Sequence, residues 1–253
     1  IMGYNKLQAL RDNIAAIKEA YDIVSNQRQR TDEEVEILRK YSGFGGIKEA
    51  YEIDEYVSYF ANDAAYRAKH GVDLQSECMT KKQCGDEMPS ALYELAYLIT
   101  HLGGQDFAED IERGKLLANN IKSSIRTAFY TPTEVVSAVG DAVNHVLNAN
   151  GIKATSLLET SAGTGGFLSI AAAGCKKVAV EIDPLSAMVG YALNPDADWI
   201  TDGFQNIDKY IGKEKGEGNS EKFDIVASNV PFAQGAHVFD QRWFDEKKND
   251  DVH

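Results

Sequence analysis

The chain has 253 residues, of which 43% are hydrophobic and 26% charged, so it can bury a core and is not a disordered segment. Lys and Arg number 26 against 39 Asp and Glu, and the formal net charge of −13 argues against a freestanding nucleic-acid-coating protein. Both halves of the chain are net acidic, so any phosphate-binding surface is expected to be small and local. The cysteines Cys78, Cys84 and Cys175 are odd in number and contain no Cys-x-x-Cys pair. That disfavours a disulfide framework and a structural zinc, and points to a reducing, cytoplasmic setting. The histidines show no metal-ligand spacing, so no metal is expected. No apolar run approaches the roughly 18 residues of a membrane span. The N-terminus leads into a polar amphipathic stretch rather than a signal peptide.

Residues 1–125 read as a helical domain. Leu7, Leu10, Ile14, Ile17, Tyr21 and Val24 recur at steps of three and four, the period of one helix face. Thr31 followed by Glu34 has the form of a capping box and opens a helix that runs to residue 39. The run Tyr41-Ser42-Gly43-Phe44-Gly45-Gly46 ends it. Further helical patterns cover about residues 53–70, 90–102 and 106–122, with Pro89 the interruption, and no alternating strand pattern stands out.

Beyond Thr127 the texture changes, and four of the five prolines lie there. Strands are expected at 156–158, 177–181, 198–200 and 223–228, with helices at 132–150, 166–173 and 184–193. This alternation argues for βαβ units and a mainly parallel sheet, hence an α/β domain over residues 126–253.

The chemistry gathers at the expected strand ends. Glu159-Thr160-Ser161-Ala162-Gly163-Thr164-Gly165-Gly166-Phe167 leads from the first strand through a glycine turn towards a helix. Glycine permits left-handed backbone and close approach of a ligand, and the helix start offers unpaired N–H groups. Eighteen residues after Gly163, the second strand ends in Glu181-Ile182-Asp183, where an acidic side chain is placed to accept from ribose hydroxyls. The third strand runs into Asp202-Gly203-Phe204, where the Asp suits an adenine amino group and the Phe its ring face. The fourth ends in Asn229-Val230-Pro231-Phe232.

Taken together, these segments resemble the motif set of S-adenosylmethionine-dependent N6-adenine DNA methyltransferases in the gamma order. Ala128-Phe129-Tyr130-Thr131-Pro132 is similar to the family's N-terminal cofactor motif. Residues 159–167 are similar to Glu-Pro-Ser-Ala-Gly-x-Gly, and residues 229–232 to Asn/Asp-Pro-Pro-aromatic. The resemblance implies a Rossmann-like methyltransferase sheet. It assigns S-adenosylmethionine to Tyr130, Thr131, Pro132, Glu159, Ser161, Ala162, Gly163, Gly165, Phe167, Glu181, Ile182, Asp202 and Phe204. It assigns catalysis to Asn229, Val230, Pro231 and Phe232. Thr160 stands where the family has proline, and Val230 replaces the first proline of the catalytic motif.

The residue types suit the reaction. An adenine N6 amine is a poor nucleophile because its lone pair is delocalised into the ring. In the family, the Asn side-chain oxygen and the next residue's carbonyl hold the amine hydrogens, and the aromatic residue stacks on the flipped base. Orientation and electrostatics then supply most of the acceleration. The run 41–46, followed by helices and then Ala128–Pro132, also looks like the leader of large methylase–helicase proteins of conjugative elements and phages. That likeness brings a fused or associated helicase as partner, beside adenine-containing DNA. Family members continue with three more strands and a DNA-reading region after the catalytic motif. The expectation is therefore the N-terminal part of a longer enzyme, its sheet truncated after the fourth strand and inactive alone. Two alternatives stay open. The Asn-x-Pro-aromatic motif also serves methylation of protein glutamine and of RNA guanine. A catalytically silent, DNA-mimicking antirestriction module would use the same acidic surface.

Overall fold

The computed structural model describes residues 4–61, 71, 73–103, 107–211 and 222–230. Helix α1 (Lys6–Ser25) starts at Asn5, whose side chain accepts from the Gln8 N–H, and it buries Leu10, Ile14 and Ile17. Helix α2 (Asp32–Leu38) carries both halves of the Thr31/Glu34 capping box. A 3₁₀ turn, Lys48–Glu52, leads into α3 (Ile53–Ala61), and the rest of the expected helix, residues 62–70, lies outside the described residues.

Helix α4 (Leu74–Gln83) was not expected from the sequence. Only Leu74 and Cys78 are buried in it, so it has no apolar period to read. Asp73 caps it, and the ion pair between Lys81 and Glu77 supports it. Helix α5 (Met88–His101) takes Pro89 into its first turn, where proline is tolerated because the N–H groups have no partner. Helix α6 (Phe107–Ser124) closes the leader, and α7 (Thr133–Ala149) opens the second part.

The chain is a mixed α/β protein with a four-stranded, all-parallel sheet among the described residues. Its strands are β1 (Ser156–Glu159), β2 (Lys176–Val180), β3 (Asp198–Ile200) and β4 (Ile225–Val226), in the order β3-β2-β1-β4. Helix α8 (Pro184–Leu193) crosses from β2 to β3. The chain steps outward from β1 to β3, then returns to place β4 on the other side of β1. The switch point therefore lies between β1 and β4, and in open parallel sheets the crevice outside the carboxyl ends of the strands there is the habitual ligand site.

Both faces of the sheet are covered, as parallel strands require. Leu157, Ala179 and Ile225 pack on one face with Val136 of α7, while Leu158, Val178, Val180 and Ile200 pack on the other. The helical core of the leader continues into the second part, because Leu185, Val189 and Ala192 of α8 belong to it.

Two expected elements are shorter than the sequence indicated. The fourth strand pairs only at Ile225 and Val226. Before it, one Asp224 oxygen accepts from the Thr155 and Ser156 amides at 2.7 and 3.1 Å, so a side chain takes the place of ladder bonds. The helix expected at 166–173 is a 3₁₀ turn, Gly166–Ile170. Its Phe167 and Leu168 N–H groups bond to Glu159, and the chain turns extended at Ala171.

Candidate functional site

The apolar run of β1 brings Glu159 to the carboxyl edge of the sheet with its side chain turned inward, 2% exposed. Its carboxylate accepts from the Phe167 and Leu168 N–H groups at 3.2 and 3.1 Å, fastening the far end of the glycine turn to the strand. Burial pushes its pKa up to about 8, against the two amide bonds that favour the charged form. Glu159 thus supports the turn from below.

Above it, Gly163 has φ of +56°, a left-handed conformation that glycine adopts without cost. Its N–H donates to Glu181 Oε2 at 2.7 Å, and the other Glu181 oxygen accepts from the Asp183 N–H at 2.8 Å. The end of β2 is thereby tied to the turn after β1. Burial raises the Glu181 pKa, with the amide bonds opposing.

Asp183 caps α8 by accepting the Ser186 N–H at 3.0 Å, and it also accepts the Ser186 hydroxyl. Its other oxygen, Oδ1, is buried and has no partner among the described residues. Burial raises this carboxyl too. Since an ionised Asp183 only accepts, Ser186 donates to it and receives from two phenols, those of Tyr130 at 2.7 Å and Tyr41 at 3.3 Å.

These groups bound a cleft of about 160 Å³. One wall is the turn at Ser161 and Gly163 together with Glu181, Ile182 and Asp183, and Asn229, just past β4, stands at its rim. The opposite wall comes from the leader: Asn120, Ser123 and Ser124 near the end of α6, then Thr127 to Tyr130. The Tyr130 ring divides this cleft from a second, broader one of about 650 Å³, which Thr131 and Gly165 line.

Of the residues singled out in the sequence, Tyr130, Ser161, Gly163, Glu181, Ile182 and Asn229 meet in the first cleft. Val230 follows Asn229 with its side chain exposed. Pro132 is the N-cap of α7, and Ala162 and Phe167 lie in the core. Asp202 bonds within its own turn, to Asn206 at 2.9 Å and Tyr210 at 2.9 Å, and these bonds hold its pKa below the usual carboxylate range. Asp202 and the half-exposed Phe204 do not line the cleft. Pro231 and Phe232 lie outside the described residues.

Sequence reasoning did not find Asp183, Ser186, Tyr41 or the α6 wall. Asp183 before Pro184 carries a readable helix-start signal. The α6 residues carry none, because their role comes from packing.

No family model, curated protein or solved structure matches the chain. Among the described residues, no helix is long and apolar enough to cross a membrane.

Proposed function

We propose that the chain is the cofactor-binding part of an S-adenosylmethionine-dependent N6-adenine DNA methyltransferase, built on a Rossmann-like sheet. One observation carries the reading. A glycine turn after β1, a carboxylate after β2 bonded to that turn, and an asparagine after β4 share one cleft at the switch point of a parallel sheet. The helix-capping Asp183, which lines the cleft, has one buried oxygen with no partner among the described residues, and Glu181 keeps lone pairs beyond its two amide bonds. Both accept what ribose hydroxyls offer.

The enclosed space of about 160 Å³ is smaller than a whole adenosyl ligand, so the ribose would sit inside and the remainder over the rim at Ile182 and Asn229. When bound, S-adenosylmethionine supplies an electrophilic methyl group on a positively charged sulfur. Glu181 and Asp183 complement that charge, and the ligand's positive charge in turn favours their ionised forms. Asn229 would accept a hydrogen of the adenine amine through its side-chain oxygen, with the Val230 carbonyl as the second acceptor. Together they would turn the nitrogen lone pair towards the methyl group.

Calorimetry with S-adenosylmethionine tests the cofactor half. Glu181→Ala should weaken binding at least about tenfold, the loss expected for a hydrogen bond to a charged group. Unchanged affinity removes Glu181 from the site. Tritium transfer from labelled cofactor into adenine-containing DNA tests the catalytic half. There, Asn229→Ala should abolish transfer by the intact protein while leaving cofactor affinity nearly unchanged. Undiminished transfer refutes the mechanism.

A further inference from the structure

The run Tyr41-Ser42-Gly43-Phe44-Gly45-Gly46 has no role in the reading above, yet its contacts converge on the cleft. Asn13, fully buried in α1, spends both ends of its amide on the run, donating to the Gly43 carbonyl at 2.6 Å and accepting the Ser42 N–H at 2.9 Å. The Gly46 N–H donates to the Ile125 carbonyl at 3.1 Å. Held this way, the run lies against the segment leading to Tyr130. Gly45 faces the Ala128 carbonyl with no room for a methyl carbon, and a Cβ at Gly43 would stand 3.1 Å from the Tyr130 ring. On the opposite side, Gly163 of the cofactor turn leaves no room for a Cβ against the same ring. Tyr130 is thus slotted between two left-handed glycines from two distant motifs, with φ of +67° and +56°. Its hydroxyl shares Ser186 with Tyr41, whose ring centroid is 6.0 Å away.

We propose that residues 41–46 are a positioning element of the cofactor cleft, in which Gly43 and Tyr41 fix the ring and hydroxyl of Tyr130 over the Gly163 turn. The helical leader then sets the shape of the ligand site and is not an appendage to it. A run that only joined helices would have no reason to exclude a methyl carbon at Gly45 or to spend a buried amide on its carbonyl. The proposal rests on the cofactor reading for its ligand, but the slot itself can be read without one.

The experiment uses the full chain with Tyr130 replaced by a fluorotyrosine and follows its fluorine resonance. In parallel, S-adenosylmethionine affinity is measured on the unlabelled protein. Gly43→Ala and Tyr41→Phe should each move or broaden the resonance and weaken binding by roughly three- to tenfold, with cooperative unfolding retained. Tyr41→Phe should add nothing on a Tyr130→Phe background, because it acts through that hydroxyl. A general loss of stability would not produce that non-additivity. An unmoved resonance in both variants, or a full Tyr41→Phe effect without the Tyr130 hydroxyl, overturns the proposal. No heat of cofactor binding to the wild-type chain overturns the cofactor reading instead, and the fluorine shifts still decide the slot.

Discussion

In the leader, the side chains that hold the loop at residues 41–46 are neutral: the buried amide of Asn13 at Ser42 and Gly43, and the Tyr4 hydroxyl at the Gly45 carbonyl. In the sheet, the turn at residues 160–165 is held by the Glu181 carboxylate at the Gly163 N–H and by the Asn194 amide at the Thr164 carbonyl, while the Glu159 carboxylate holds the Phe167 and Leu168 N–H groups that follow it. Both segments are glycine-rich and both press on Tyr130, yet their anchors cost different amounts to bury. A bonded amide is inexpensive in an apolar interior, whereas a carboxylate there is driven towards its neutral form. Among the described residues no Lys or Arg pairs with Glu159, Glu181 or Asp183, and all three are raised by burial. A fold needing only a fixed turn could use an amide, as the leader does. Unpaired carboxylates under strain of this kind mark working sites more often than scaffolding. The contrast therefore supports the proposed division between a positioning region and a ligand-binding one.

The largest effect is expected from removing the neutral anchor. Asn13→Ala strands the buried Gly43 carbonyl, at about 1–3 kcal/mol, and takes the partner from the N–H of the exposed Ser42. Urea denaturation should show a loss of about 3 kcal/mol, the upper end of that range, because the alanine also leaves the space of a fully buried amide. A loss under about 1 kcal/mol would mean that the loop finds other partners and is not held from α1. Asn13→Asp sharpens the contrast by turning the leader's anchor into the kind the sheet uses. Its protonated form can still donate to the Gly43 carbonyl and its ionised form cannot, so stability should now fall as pH rises.

Next comes the turn itself. Gly163→Ala places a side chain in a left-handed backbone, at about 1–2 kcal/mol, and drives its methyl carbon into the Tyr130 ring. A loss of about 2–3 kcal/mol is expected in the same titration, together with loss of cofactor binding. Gly43→Ala bears the same backbone cost but meets the ring at 3.1 Å, so a few tenths of an ångström relieve it. Equal effects from the two alanines would erase the distinction between the two sides of the slot.

What the sequence made legible follows from the range of the interactions involved. The doubly buried strands β1 and β2 show as apolar runs at Leu157 and Leu158 and from Val178 to Val180. The spacing of Gly163 and Glu181 was readable because turn and strand end belong to one crossover between the neighbouring parallel strands β1 and β2, whose length fixes it. Helix α4 was not readable, since packing of two side chains and a cap stabilise it without an apolar period. Nor was the meeting of Gly43 with Tyr130, because no local rule relates segments so far apart in the chain. For Asp202 the structure shows only short-range partners, Asn206 and Tyr210 in its own turn.

The effect smallest in any single step is a slope, spread over several pH units. Glu159 has a folded-state pKa of about 8 against an ordinary 4.5, so the folded protein holds a proton that the unfolded chain releases. Its contribution is fully present below about pH 4.5 and is lost as pH rises through about 8. Glu181 and Asp183, both raised, act in the same direction. Glu34, held down to about 2 by Arg28, and Asp202 and Asp224, also lowered, act in the opposite direction at acid pH, outside this window. Between pH 5 and 8 one such carboxyl changes stability by at most about 1.4 kcal/mol per pH unit. Glu159→Gln removes that titration. Phe167 and Leu168 bond to different Glu159 oxygens, and in glutamine one of those positions is an NH2 donor facing an N–H, so the variant should start lower, yet fall less steeply with pH. Urea midpoints at pH 5, 6.5 and 8 decide the matter. Parallel wild-type and variant lines would mean that Glu159 is ionised throughout, and that the turn's anchors differ from Asn13 in name only.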